Sequence, residues 1–165
     1  MAETALRGNL VHTVGDLPRV GAPAPSFTLT KTDLGDLTNG DLTGQRVVLN
    51  IFPSLDTAVC ATSVRRFNEL ASGLENTTVV CASADLPFAL NRFCGAEGLT
   101  NVVPASTFRS DFGTAYGVQL ADSKMAGLMA RSVVIFDEHG TVIYSHISPE
   151  ISQEPDYDSA MAALS

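Results

Sequence analysis

The sequence predicts an α/β fold in which a central mixed sheet is flanked by helices and preceded by an N-terminal β-hairpin. Three observations carry that prediction. Two nearly continuous apolar, β-favouring runs, Arg46 to Phe52 and Thr77 to Ala84, have the pattern of strands covered on both faces. Each is followed by helix-opening chemistry, Asp56 and Thr57 after the first run and Asp85 with Pro87 after the second. Near the end of the chain, Ala130 to Phe136 and Thr141 to Ile147 are joined by Asp137-Glu138-His139-Gly140, the pattern of an antiparallel hairpin. A length of 165 residues suits a single domain spanning 1–165.

In chain order, Glu3 to Thr13 forms two mixed runs broken by Gly8 and Asn9, a short hairpin expected to cover the core. Gly21 to Pro25 is an extended, proline-punctuated stretch leading to Phe27 and Leu29. A turn-rich region follows through Thr43, marked by Asp33, Gly35, Asn39 and Gly40. Arg46 to Phe52 is the first central strand, ended by Pro53. A helix then reaches about Leu74, with Val64, Phe67, Ala71 and Leu74 on its apolar face and Arg65, Arg66, Glu69 and Ser72 opposite. Counting back four from Val64 puts Cys60 on the apolar stripe, in the first turn. Thr77 to Ala84 is the second buried strand. The next helix runs through Phe93 and Cys94 and is expected to close at Gly95. Val102 to Ser106 reads as a short strand, Asp111 to Tyr116 as a short helix, and Tyr157 to Leu164 as a closing amphipathic helix after the hairpin. Parallel crossovers first and an antiparallel hairpin last match a thioredoxin-like sheet with N-terminal additions.

Composition narrows the function. Apolar residues make up 45% and charged residues 17%, enough to bury a core and too little charge for a disordered chain. The net charge of −8, without a Lys/Arg run, argues against a nucleic-acid partner and against an anionic membrane surface. No apolar stretch approaches the ~20 residues of a spanning helix. Met1 to Gly15 lacks an apolar signal region, so a cytoplasmic location is expected. Three cysteines cannot close a disulfide framework, which leaves each as an inert small residue or an active thiol.

The informative segment is Phe52 to Phe67, because it places a thiol one strand-to-helix turn after a central strand. Sites in open α/β sheets gather at the carboxyl ends of strands, and a helix N-terminus favours thiolate over thiol. Thr57, three residues before Cys60, can offer its hydroxyl to the sulfur. Pro53 shields the pocket and removes a backbone N–H that would compete for water. Cys81, mid-strand between Val80 and Ala82, reads as packing. Cys94 is open to either reading, and Arg131 reads as a supporting cation or as a surface ion-pair residue. His12, His139 and His146 have no metal-ligand spacing, and Asp33, Asp36 and Asp41 read as turn residues. Phosphate-binding and dinucleotide-binding glycine motifs and the G-x-S-x-G elbow are missing, so cofactor-free chemistry is expected.

Pro53-Ser54-Leu55-Asp56-Thr57-Ala58-Val59-Cys60 resembles the P-x-x-x-T/S-x-x-C element of peroxiredoxins, and the longer match resembles their thiol peroxidase branch, the atypical two-cysteine members. Three further blocks extend the resemblance from Gly8 to Leu164: Asp85 to Ala89 leading to Arg92-Phe93-Cys94, Ala126 to Arg131, and Pro149-Glu150-Ile151 with Glu154-Pro155 and Tyr157. The resemblance implies Cys60 as peroxidatic cysteine, Cys94 as resolving cysteine, Thr57 and Arg131 as activating residues, a homodimer, and thioredoxin or a similar dithiol as reductant. Ala58 departs from the wider superfamily, where Pro is frequent and would pre-set the first helical turn.

The expected function is therefore a thiol-dependent peroxidase acting on hydrogen peroxide and organic hydroperoxides through a Cys60 sulfenic acid and a Cys60–Cys94 disulfide. Lowering a cysteine pKa from ~8.5 to ~6 raises the thiolate fraction at pH 7 only about 30-fold. Most of the acceleration must then come from donors that align the O–O bond and stabilise the leaving oxygen. Two other readings are weighed against this one. A thioredoxin-type disulfide exchanger would need a second thiol where Ser63 stands. A non-catalytic, redox-sensing binding module would not turn over peroxide. Since Cys60 starts one helix and Cys94 ends another, pairing them is expected to require local unfolding.

Overall fold

The computed structural model describes residues 1–165. Strands β1 (Glu3–Leu6) and β2 (Asn9–His12) pair antiparallel as the separate hairpin expected from Gly8 and Asn9. The main sheet has seven strands: β3 (Thr28–Lys31), β4 (Asp36–Thr38), β5 (Arg46–Ile51), β6 (Thr77–Ser83), β7 (Val103–Ser106), β8 (Ser132–Phe136) and β9 (Val142–Ile147). Their order across the sheet is β4-β3-β7-β6-β5-β8-β9. Strands β5, β6 and β7 are parallel, and every other pairing is antiparallel, so the sheet is mixed as predicted. The helices are α1 (Ala58–Ala71), α2 (Pro87–Glu97), α3 (Phe112–Ala115) and α4 (Tyr157–Ala163).

Strand β5 shows why its sequence is apolar throughout. Val47, Leu49 and Ile51 enter a 17-residue cluster with Phe27, Phe112 and Tyr116 on one face of the sheet. Val48, on the other face, joins a 14-residue cluster that packs α1, α2 and α4 onto the sheet through Val64, Phe67, Leu90 and Ala160. A strand covered on both faces cannot alternate with polar residues. Asn50 is the exception: it is fully buried and donates to Ser63 Oγ at 3.3 Å and to Cys81 Sγ at 3.7 Å.

Three regions differ from expectation. The turn-rich region after Phe27 contains β3 and β4, which extend the sheet past β7. They are too short to show a period of their own, and the turn between them, through Asp33, Leu34 and Gly35, dominates the composition. Helix α2 does not close at Gly95. It continues to Glu97, and Gly98 provides the left-handed cap at φ 67°, with Leu99 N–H donating to the Cys94 carbonyl at 3.0 Å. Ala96 and Glu97 are good helix formers, and Leu99 docks on the second cluster, so the later glycine wins the stop. Helix α1 in turn ends at Ala71, and Leu74 packs on the same cluster from the following loop.

Candidate active site

The site is assembled at the carboxyl end of β5. Phe52 and Pro53 leave the strand buried, and residues 54–57 form a tight turn in which Ser54 O accepts from Thr57 N–H at 3.1 Å. Thr57 is the N-cap of α1, in extended backbone geometry, so the helix begins at Ala58 and Cys60 occupies its first turn. Cys60 is fully buried, on the stripe shared with Val64 and Phe67, as the helical spacing predicted.

What the helical spacing could not reveal is the neighbour of the sulfur. Arg131, just before β8, is 2% exposed and donates from Nη2 to Cys60 Sγ at 3.1 Å. The surface ion-pair reading of Arg131 does not fit this burial, because such a residue would lie in solvent beside a carboxylate. Its Nε donates to the Ile151 carbonyl at 2.8 Å, which fixes the plane of the guanidinium. Its Nη1 is buried without a protein partner. A cationic donor is thus held rigidly against the thiol with one N–H set still uncommitted, an arrangement suited to an incoming oxygen.

Ile151 is held from the other side by the N-terminal hairpin. Its N–H donates to Ala5 O at 2.8 Å, Thr4 Oγ1 donates to Ser148 O at 2.7 Å, and Gly8 N–H donates to Glu150 Oε1 at 3.2 Å. The hairpin therefore does more than cover the core. It buttresses the backbone that orients Arg131, and Leu6 and Arg7 reach the rim of the cleft above the thiol. That cleft, of about 350 Å³, is lined by Pro53, Thr57, Val59, Met125, Arg131 and Ile151 among others. A larger and more polar cleft of about 550 Å³ is bordered by Asn39, Gly40 and Asp137 to Gly140. Only the smaller one is lined by Arg131, the residue that contacts the Cys60 sulfur.

Thr57 lines the cleft, but its hydroxyl proton is not offered to the sulfur. Oγ1 donates to Ser54 O at 3.0 Å rather than to the Cys60 sulfur. The turn brings the Ser54 carbonyl back over Thr57, which makes it the nearer acceptor. The other two thiols lie in different surroundings. Cys81, in β6, is buried and pushed up to about 12 by that burial, partly offset by Asn50. Cys94, in α2, is pushed up to about 11 by burial. All three cysteines are free thiols.

Two site residues escaped the sequence reading. Ser54 occupies an unspecified position of the P-x-x-x-T/S-x-x-C element, and Asp85 carries the signal of a helix opener. In the structure Asp85 accepts from Ser54 Oγ and Ser83 Oγ at 2.6 Å each and from Leu55 N–H at 2.8 Å. Its signs in the sequence were a carboxylate two residues before a helix-opening proline and its place at the head of the Asp85 to Ala89 block, neither of which points to Ser54.

Residues 19–161 match the Redoxin family. The chain belongs to that family. Over 164 residues it is 57% identical to the thiol peroxidase of Mycobacterium tuberculosis, covering 99% of both chains, and equally to that of Corynebacterium glutamicum. Among solved structures, a peroxiredoxin-like protein from Aquifex aeolicus superposes with a TM-score of 0.94 at 38% identity, covering 99% of this chain and 96% of that one. The thiol peroxidase of Chromobacterium violaceum superposes with a TM-score of 0.90 at 22% identity, covering 98% of this chain and 94% of that one, a likeness of fold. The thioredoxin-like architecture and the resemblance to the thiol peroxidase branch are borne out, and with them the reading of this Redoxin as an enzyme.

Proposed function

We propose that this Redoxin reduces hydroperoxides with Cys60 as the peroxidatic thiol and Cys94 as the resolving thiol, using a dithiol such as thioredoxin as reductant. The observation that carries the proposal is the buried Arg131 Nη2 to Cys60 Sγ contact of 3.1 Å, made by an arginine that also lines a cleft. Deprotonated Cys60 attacks the terminal peroxide oxygen. A sulfur lone pair forms the S–O bond as the O–O bond breaks, and the departing oxygen takes a proton and leaves as water or an alcohol. Arg131 Nη1, buried without a protein partner, is the donor left to turn toward the peroxide and stabilise charge on the oxygen where it develops. Apolar lining from Val59, Met125 and Ile151 supports acceptance of an alkyl group, so organic hydroperoxides fit alongside hydrogen peroxide. Pro53 closes the inner wall.

The second step joins the Cys60 sulfenic acid to Cys94, forming the S–S bond and releasing water. In the folded helix the Cys94 thiol, at about 11, is ionised to only on the order of one part in 10⁴ at pH 7. Unwinding the last turn of α2, from Cys94 to Gly98, exposes it and returns it toward the ordinary cysteine range near ~8.5. Local unfolding therefore supplies reach and nucleophilicity together. The external dithiol then reduces the disulfide. With this reading go a homodimer and a cytoplasmic location; no helix is long and apolar enough to cross a membrane.

One equivalent of peroxide followed by alkylation and peptide mass spectrometry tests the assignment. The expected product is a Cys60–Cys94 linked peptide, with steady peroxide consumption once a dithiol reductant is supplied. A Cys60–Cys81 linkage would assign the resolving role to Cys81, and absence of turnover would leave a redox-sensing module.

A further inference from the structure

Asp85 is placed where the two cysteine-bearing elements meet. It follows β6 and precedes Pro87, the first residue of the helix that carries Cys94. Its carboxylate reaches across to the turn that presents Cys60: Oδ1 accepts from Ser54 Oγ at 2.6 Å and Oδ2 from Leu55 N–H at 2.8 Å. Ser83 Oγ, 2.6 Å from Oδ2, holds the carboxylate on its own side, and Ser106 Oγ donates to the Asp85 carbonyl from β7.

Ser54 passes this constraint into α1. Its Oγ accepts from Asp56 N–H at 3.2 Å while donating to Asp85, and its carbonyl accepts from both Thr57 N–H at 3.1 Å and Thr57 Oγ1 at 3.0 Å. Thr57 O in turn accepts from Ala61 N–H at 3.0 Å, the bond that closes the turn containing Cys60. An unbroken chain of hydrogen bonds runs from the Asp85 carboxylate to the helical turn of the peroxidatic thiol. The Arg92–Asp56 pair, 3.7 Å and largely exposed on both sides, spans the same gap but contributes little.

We propose that Asp85 is a positioning residue that clamps the peroxidatic turn in its peroxide-reactive geometry, and that the same clamp restrains the unwinding needed for Cys60 to meet Cys94. The inference rests on the proposed function, in which the two thiols react in sequence. Its consequence is an opposition of signs. A group that supports the fold away from these two turns leaves both rates close to the wild-type values when removed. The clamp accelerates oxidation by holding Cys60 beside Arg131, and slows condensation by raising the cost of opening the first turn of α1.

Asp85→Asn keeps the shape but replaces the charged acceptor by a neutral amide whose NH₂ must reverse the bond to Ser54 Oγ, so the charge-assisted bonds that hold the turn are weakened. The protein has no tryptophan, so the two steps are followed by quenched-flow alkylation and mass spectrometry rather than by fluorescence. In the variant the peroxide-dependent formation of the Cys60 sulfenic acid is expected to slow by about tenfold or more. The peroxide-independent formation of the Cys60–Cys94 disulfide is expected to speed up severalfold. Ser54→Ala, which cuts the chain at its pivot and keeps the Leu55 bond, should move both rates in the same directions by smaller factors, and decides the matter if Asp85→Asn does not fold. Both steps slowing together, or neither changing, would overturn the clamp. Wild-type protein that oxidises at Cys60 but forms no Cys60–Cys94 disulfide would overturn the proposed function beneath it, a result visible before any variant is made.

Discussion

Cys60 and Cys81 lie on the same side of the same sheet, in the same apolar cluster, and neither is more than 1% exposed. Their surroundings nevertheless make them chemically unlike. Cys60 sits at a helix N-terminus with a guanidinium nitrogen 3.1 Å from its sulfur. Cys81 sits in mid-strand, where its hydrogen-bond partner is a neutral amide 3.7 Å away and burial pushes its thiol up to about 12. Depth of burial is thus a poor guide to thiol chemistry. The charge and dipoles around the sulfur decide it, because in a low-dielectric interior a thiolate is tolerated only beside compensating positive charge. Cys94 stands between the two, lacking a cation but lying one helical turn from a terminus that can open.

The largest expected effect comes from removing the favoured thiol. Cys60→Ser should abolish peroxide turnover while leaving the thermal midpoint close to that of the wild type, since a hydroxyl is nearly isosteric but a poor nucleophile at neutral pH. Residual turnover above the uncatalysed rate would place the chemistry elsewhere. Next come the two other cysteines. Cys94→Ser should consume about one equivalent of peroxide per chain and then stop under thioredoxin-coupled assay, whereas Cys81→Ser should cycle at nearly the wild-type rate. Equal behaviour of the two variants would erase the distinction drawn between strand and helix end.

Arg131→Met keeps the apolar stem and removes both donors, to Cys60 and to the Ile151 carbonyl. The second-order rate with peroxide should fall by about 10²- to 10³-fold, more than a change in thiolate fraction can account for. A loss no greater than the ~30-fold thiolate ceiling, removable by raising the pH, would confine Arg131 to thiol ionisation.

The smallest effect concerns stability. Cys81 and Cys94 hold their protons more tightly in the native state than in the unfolded chain, since both are raised from 9.0, to about 12 and about 11. The linkage therefore favours the fold below about pH 9 and is lost as pH rises through the window from 9 toward those native values. For the fully buried Cys81 the loss is at most about 1.4 kcal/mol per pH unit. Under reducing conditions, thermal melts of Cys81→Ala between pH 8 and pH 11 should fall less steeply than those of the wild type. Parallel slopes would show that Cys81 does not contribute to the alkaline limit.

Short-range chemistry made much of this molecule legible before any coordinates. The nearly continuous apolar run of β5, the proline that follows it and the helical spacing from Cys60 to Val64 and Phe67 all fall between Arg46 and Phe67. They suffice to put a thiol in the first turn of a helix at the carboxyl end of a buried strand. The β1–β2 hairpin was legible for the same reason, its turn residues being adjacent in sequence. Strands β3 and β4 were not, because a strand of three or four residues acquires its identity from the partner it pairs with.

The hydrogen-bond partners belong to the tertiary structure. Arg131 meets Cys60 across 71 positions, Asp85 meets Ser54 across 31, and Gly8 meets Glu150 across 142. A side chain's type states what it can donate or accept, but which group it finds depends on where distant strands return to the sheet. The Thr57 proton illustrates the limit even at close range: spacing offered it to the sulfur, and the fold of a four-residue turn gave it to a carbonyl at 3.0 Å instead. Sequence determined which thiol lies in the first turn of a helix after a buried strand. Packing decided what meets its sulfur, since charge and geometry at a buried sulfur are set by chain segments that meet only when the sheet closes.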